Sequence, residues 1–183
     1  MGPLQIQSVI GVLKAYATRV GSGPLPTELT DDIGEHMVTV GREFGTTTGR
    51  RRRCGWLDLV PLRYASSVNS VTSLMLNKLD ILSGIPELKV CVGYRIGDRV
   101  VSDGSLSAAD LERAEPMYET MPGWDDDLRK VSTYAALPKA ARDYMSLIEE
   151  HAGAPIGILS VGPERNQTLV RDATHGLASH RAA

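Results

Sequence analysis

Residues 46–53 read Thr-Thr-Thr-Gly-Arg-Arg-Arg-Arg, so three hydroxyls and a glycine run directly into four guanidinium groups. Backbone N–H groups of such a loop can close around an anion, and Thr46, Thr47 and Thr48 add hydroxyl donors. Arginine supplies a planar fork that matches a carboxylate or phosphate bidentately. Gly49, Arg50, Arg51 and Arg52 complete the candidate anion loop. Read alone, the stretch fits a solvated basic surface equally well. A nucleic-acid groove fits poorly: the run is short, no aromatic residues are interleaved for stacking, and the net charge of the chain is −2.

Asn77-Lys78-Leu79-Asp80 closes a second apolar run and fits the N-K-x-D pattern that reads guanine. A carboxylate at Asp80 accepts from guanine N1–H and from the exocyclic N2 amino group. Adenine has neither donor, so its complex leaves the carboxylate unpaired, at about 1–3 kcal/mol or more for a charged group. The Lys78 stem can cover one face of the base while its charge stays in water. Two further stretches bring backbone close to a ligand: Ser160-Val161-Gly162-Pro163, after an apolar run, and the glycine-rich Thr18–Leu29. Taken singly, each reads first as an ordinary turn.

Other chemistries have no counterpart here. The sequence contains no G-x-x-x-x-G-K-[ST] loop and no evident Ser/His/Asp or Cys/His arrangement. Cys54 and Cys91 lack the CxxC or histidine spacing of a zinc site, and they fit reduced thiols of a cytosolic-type protein. Asp125–Asp127 reads as a solvated turn rather than a cation site. No metal site is expected in this chain. No apolar run reaches membrane-spanning length, so no membrane partner is expected.

The elements that position these motifs follow from periodicity. Val9, Ile10, Val12, Leu13 and Tyr16 fit one face of a helix over Ser8–Tyr16. Ala17–Val20 reads as a short strand entering a Gly/Pro loop. Thr30, Asp31 and Asp32 offer caps for a helix through about Val40, and Gly41 ends it. Trp56–Ser70 reads as a helix with Pro61 in its first turn, and Ser73–Asp80 as a buried strand with polar residues at its end. Leu88–Asp103 reads as a β-hairpin turning at Gly97-Asp98. A short capped helix over residues 107–114 and an extended segment from Pro116 follow. Leu137–Gly153 is a strong amphipathic helix, with Pro138 at its start and Gly153 as its stop. Residues 154–160 form a strand, and Thr168–Arg171 forms another. Residues 173–183 are expected to be a disordered polar tail. Alternating strands and helices give an α/β class with a largely buried sheet, and the motifs fall just after strands, where open α/β sheets bind ligands.

In order and spacing, these segments resemble adenylosuccinate synthetase. The resemblance rests on "GVLKAYATRVGSGPLPTEL", "GREFGTTTGRRRRCGWLDLVPLRYASSVNS", "NKLDILSGIPELKVCVGYR", "EPMYETMPGW", "LPKAARDYMSLIEE" and "LSVGPER". It implies a P-loop-NTPase-like synthetase fold with a central, mostly parallel sheet plus a β-hairpin, of which residues 1–172 are the carboxy-terminal portion. It also implies GTP-dependent ligation of IMP and L-aspartate, with Mg2+, by a cytoplasmic homodimer, with a plastid-targeted full-length parent as the alternative. On matching positions, Thr46 to Arg52 become the aspartate loop. Val20 and Arg50 become IMP contacts. Arg52, Lys78, Leu79, Asp80, Ser160, Val161 and Gly162 become GTP contacts. Asn77 departs from the family's usual threonine. The family's "GDEGKGK" phosphate loop and its catalytic aspartate and histidine have no match here, so the chain by itself is expected to be inactive. The alternatives are a non-catalytic guanine-nucleotide-binding fragment and a GTPase-type switch.

Overall fold

A computed structural model describes residues 5–171 of the chain; the tail expected over 173–183 lies outside the described residues. A four-stranded sheet organises the site. It runs β1 (Ile10–Lys14), β5 (Ser73–Asn77), β9 (Ile156–Ser160), β10 (Thr168–Val170). The first three strands are parallel, and β10 returns antiparallel to β9. A two-stranded antiparallel ribbon joins β2 (Ala17–Arg19) to β3 (Arg53–Gly55). A second sheet centres on β6 (Glu87–Ile96), which pairs in parallel with β4 (Leu57–Asp58). It is antiparallel to β7 (Arg99–Val101) and β8 (Glu115–Pro122).

Strand β1 corrects the helix expected over Ser8–Tyr16. The spacing of Val9, Ile10, Val12 and Leu13 suits a helix face, but β-branched residues also suit a strand. Pairing decides: five consecutive residues of β1 align with β5, Ile10 opposite Ser73 through Lys14 opposite Asn77. A Cβ on Gly11 would lie 3.0 Å from Leu74 Cδ2 and 3.1 Å from Val71 Cγ1, so glycine gives the two strands room for close approach.

Helix α2 (Leu59–Val68) starts later than the Trp56–Ser70 expectation. Leu57 and Asp58 join the sheet at β4, and Asp58 then caps the helix by accepting from Val60 N–H at 3.2 Å. Pro61 still falls in the first turn, where its missing N–H costs nothing. Helix α1 (Asp32–Val40) keeps its expected limits, with Asp31 accepting from Gly34 N–H at 3.0 Å and Gly41 as its C-cap. The hairpin turns at Gly97 with φ +59°. Helix α3 (Ala108–Glu112) is capped by Ser107.

Helix α4 (Lys139–Ala152) buries Ala141, Tyr144, Met145, Ile148 and Ala152, a stripe at helical spacing, and stops at Gly153 with φ +65°. Tyr144 donates from its hydroxyl to Ala15 O at 2.6 Å, which seats α4 against the end of β1. One contiguous core joins α1, α4 and the four-stranded sheet, with Leu74, Leu76, Leu79, Ile148, Ile156 and Leu159 fully shielded or nearly so.

Candidate functional site

Because β1, β5 and β9 are parallel, their carboxyl ends leave the sheet along one edge. Lys14 stands opposite Asn77, and Leu76 opposite Leu159. The segments after β5 and β9 therefore emerge side by side, which brings Lys78, Leu79 and Asp80 together with Ser160, Val161 and Gly162.

After β5 the backbone turns sharply. Lys78 sits in the left-handed region with φ +66° and opens a 3₁₀ turn over Leu79–Leu82. Its ammonium donates to Gly41 O at 2.6 Å, while the His36 ring bonds Ile81 O at 2.9 Å. The middle of α1 and its C-cap thus grip this turn. Leu79 is buried. Asp80 is half-buried, and burial pushes its carboxyl above the ordinary value, opposed by the charges of Lys78 and Arg129. Among the described residues no other residue donates a hydrogen bond to its carboxylate. A half-buried carboxylate with so few donors is suited to a ligand that brings its own.

At the end of β9, Ser160 donates from Oγ to Gly162 O at 2.9 Å, and Val161 is buried with its N–H bonded to Gln167 O at 2.9 Å. The Gln167 side chain closes the loop: Oε1 accepts from Glu164 N–H at 3.0 Å, and Nε2 donates to Arg129 O at 3.3 Å. A Cβ on Gly162 would fall 2.2 Å from Gln167 Oε1, so glycine is required for this closure.

The Thr/Gly/Arg stretch is a closed loop. A bridge joins Phe44 to Arg51, Gly45 N–H donates to Arg50 O, and Gly49 N–H donates to Gly45 O, the last two at 2.8 Å. Gly49 has φ +62°. Among the described residues nothing accepts from the N–H groups of Thr46, Thr47 or Thr48, and all three residues are exposed. Three adjacent free amides with three hydroxyls form a donor-rich tip.

The four arginines have four different environments. Arg50 is exposed, and among the described residues its guanidinium has no partner. Arg51 forms a two-armed pair with Glu35 of α1, at 3.2 and 2.6 Å. Arg52 donates from Nη1 to Glu43 at 2.7 Å. Arg53 forks onto Glu28 and also donates to Gly21 O and Gly23 O, at 3.1 and 2.6 Å. That last grip shapes the loop after β2, where Val20 is exposed.

Sequence reasoning missed Glu43. Its side chain is fully shielded from solvent, yet its carboxylate accepts from Lys14 at 2.9 Å, Tyr16 at 2.7 Å and Arg52 at 2.7 Å. Burial pushes the carboxyl up, but these donors outweigh it and hold it below the ordinary carboxylate value. Burial, and then the Glu43 carboxylate, drive the Tyr16 hydroxyl far above its usual value. The roles of Lys14, Tyr16 and His36 went unread for the same reason: Glu43 and Ile81 are distant in the chain, and no local pattern marks the pairing; Gln167 did carry a local signal, as the far end of a capping box with Glu164.

Two cavities lie away from this edge. One, of about 670 Å³, opens between α2 and α4 beside Arg63 and His151; the other, of about 260 Å³, runs between β1 and α2. Among the described residues no group of three or more His, Cys, Asp or Glu side chains is placed to hold a metal ion. No helix among them is long and apolar enough to cross a membrane.

The family model described as adenylosuccinate synthetase matches residues 1–169. Adenylosuccinate synthetase of Mycobacterium marinum is 52% identical over 171 residues, and that of Vibrio cholerae 49% over the same length. Each alignment takes in 93% of this chain and 40% of the relative. The structure of fully ligated adenylosuccinate synthetase from Plasmodium falciparum superposes with a TM-score of 0.90 at 38% identity, covering 94% of this chain and 42% of that one. The chain spans about 40% of the length of the curated relatives it matches.

Proposed function

The chain belongs to the adenylosuccinate synthetase family, and we propose that within a full-length protein it supplies the guanine site and the aspartate loop for GTP-dependent ligation of IMP and L-aspartate. In this reading it is the carboxy-terminal portion of a P-loop-NTPase-like synthetase fold. The observation that carries the reading is Asp80: a half-buried carboxylate at the carboxyl edge of a parallel sheet, without a donor from another of the described residues, beside the Ser160–Gly162 loop.

Each residue then has a task. Asp80 accepts from guanine N1–H and the N2 amino group, the Lys78 stem flanks the base, and the backbone of Leu79 and Ser160–Gly162 closes around it. The amides and hydroxyls of Thr46–Thr48, with Gly49, receive one carboxylate of L-aspartate. Arg50, with its fork unengaged, bridges aspartate and IMP. Arg52 meets both L-aspartate and the GTP side with the guanidinium nitrogens that Glu43 leaves free, and the Val20 backbone meets IMP. Phosphorylation of the IMP O6 by GTP gathers negative charge, and displacement of that phosphate by the aspartate amine gathers more. A cation-rich edge lowers both barriers. Arg51 is engaged by Glu35, which makes it a brace for the loop. Nucleic acid is a poor partner, because three of the four arginines are already paired with Glu28, Glu35 and Glu43.

Mg2+, when bound, would neutralise charge on the nucleotide phosphates. The described residues of this chain do not make a site for it by themselves. The same reading makes the full-length protein a cytoplasmic homodimer.

A second reading, nucleotide binding without turnover, applies to the 183-residue chain alone, whose sequence has no phosphate loop. Both readings are tested by calorimetric titration of the chain with GTP, ATP and xanthosine triphosphate, with an adenylosuccinate absorbance assay alongside. Guanine-selective binding without turnover is expected. Asp80→Asn should lose roughly 2–4 kcal/mol of GTP binding and gain preference for xanthosine triphosphate, whose C2 position presents an acceptor. Equal affinities of both chains for both nucleotides would exclude Asp80 as the guanine reader.

A further inference from the structure

Glu43 joins three segments through both its backbone and its side chain. Its N–H donates to Val38 O of α1, and its carbonyl accepts from Arg52 N–H, each at 2.9 Å. Its carboxylate gathers Lys14 from the end of β1, Tyr16 from just beyond it, and Arg52 from the base of the Thr/Gly/Arg loop.

The donors are used unequally. Lys14 spends its ammonium on both carboxylate oxygens and on Thr18 Oγ1 at 3.0 Å, so it has nothing left for a ligand. Arg52 spends only Nη1. Among the described residues its Nε and Nη2 have no acceptor, and its side chain is 30% exposed. One carboxylate between two cations leaves the cluster one net positive charge, and the part of it with spare donors is the Arg52 fork.

We propose that Glu43 is a positioning residue that fixes the Arg52 fork, and with it the Thr46–Arg52 loop, in the orientation that receives an anionic substrate group. Lys14 and Tyr16 serve to keep Glu43 ionised and immobile. The ligand half of this proposal rests on the assignment of the loop to L-aspartate; the positioning half does not.

The test uses the full 183-residue chain, with amide hydrogen exchange and NMR-detected titrations of L-aspartate and of guanosine, which reaches only the base site. In Glu43→Gln the amide group turns a donor toward Lys14 or Arg52, and the cluster gains a second net charge. Exchange at Gly45, Gly49 and Arg52 should accelerate roughly tenfold or more, while β5 and β9 stay protected. L-aspartate affinity should fall about as much, with guanosine affinity unchanged. Arg52→Lys keeps the charge and the bond to Glu43 but lacks the spare fork, so loop protection should survive while L-aspartate affinity falls. Should Glu43→Gln fail to fold, Tyr16→Phe removes one donor at constant charge and should produce a smaller acceleration confined to the same loop.

Unchanged loop exchange in Glu43→Gln overturns the proposal. So does a uniform loss of protection through β5 and β9 in both Glu43→Gln and Tyr16→Phe, since that marks a residue of general stability only. A wild-type chain that shows the localised exchange response but binds no L-aspartate upholds the positioning role and removes the aspartate assignment.

Discussion

Lys78 donates from Nζ to Gly41 O at 2.6 Å, tying the first residue after β5 to the C-cap of α1. The ammonium is therefore a strap at the same time as its stem is a wall for a base. Lys78→Met keeps the stem and deletes the donor. A loss of about 1–2 kcal/mol in urea denaturation is expected, at unchanged m-value, with a smaller loss of guanine nucleotide affinity than in Asp80→Asn. Wild-type stability in Lys78→Met would show that the strap does not hold the turn.

Asp80 sets stability against binding. Burial raises its carboxyl in the ligand-free fold, against the pull of Lys78 and Arg129. A group raised on folding contributes stability fully below the unfolded carboxylate range, about pH 4. That contribution disappears as pH rises through the raised folded value. Asp80→Asn should therefore be more stable than wild type by about 1 kcal/mol near neutrality, with the advantage vanishing in acid. Guanine affinity in the wild type should run the other way, weakening as pH falls through the same value. Thermal denaturation at several pH values, with GDP titrations, reads both; a pH-independent stability gain contradicts the argument.

Arg50 and Arg53 should separate binding from folding. Arg50 has no protein partner among the described residues, so Arg50→Lys should leave thermal stability within about 0.5 kcal/mol of wild type while weakening L-aspartate through loss of the fork. Arg53 grips Glu28 and the carbonyls of Gly21 and Gly23. Arg53→Lys should cost about 1 kcal/mol in stability and loosen the loop that carries Val20. Equal effects of the two substitutions on ligand binding, with equal stability, would mean that the loop register has been misassigned.

Gly162 has no room for a methyl group. An added Cβ would lie 2.2 Å from Gln167 Oε1 and 2.6 Å from Gln167 Cδ, so the amide must move and give up its bonds to Glu164 N–H and Arg129 O. Gly162→Ala should cost about 1 kcal/mol and weaken guanosine more than L-aspartate. Chemical-shift changes confined to residues 160–167 and 128–130 are the expected signature, and an unperturbed Gln167 side-chain amide would refute it.

Local structure was largely legible in the sequence. Asp31 and Gly41 bracket α1, Pro138 and Gly153 bracket α4, and Gly97 turns the hairpin as its neighbours demand. Such signals act over a few residues, within reach of a single turn of backbone. That Lys78–Asp80 and Ser160–Gly162 fall at strand ends was legible for the same reason, although β5 stops at Asn77 and not, as expected, at Asp80, because Lys78 turns into the left-handed region.

Two things were decided only by tertiary structure. The spacing of Val9, Ile10, Val12 and Leu13 satisfies a helix as well as a strand, and the backbone hydrogen bonds that settle it come from β5, some sixty residues onward. Four consecutive arginines look alike in sequence, yet Glu35, Glu43 and Glu28 claim three of them and leave Arg50 without a partner among the described residues. Charge pairing acts through space and depends on which carboxylates the fold brings within about 4 Å. That proximity is set by α1, the β2–β3 ribbon and the end of β1 together, and no single segment encodes it.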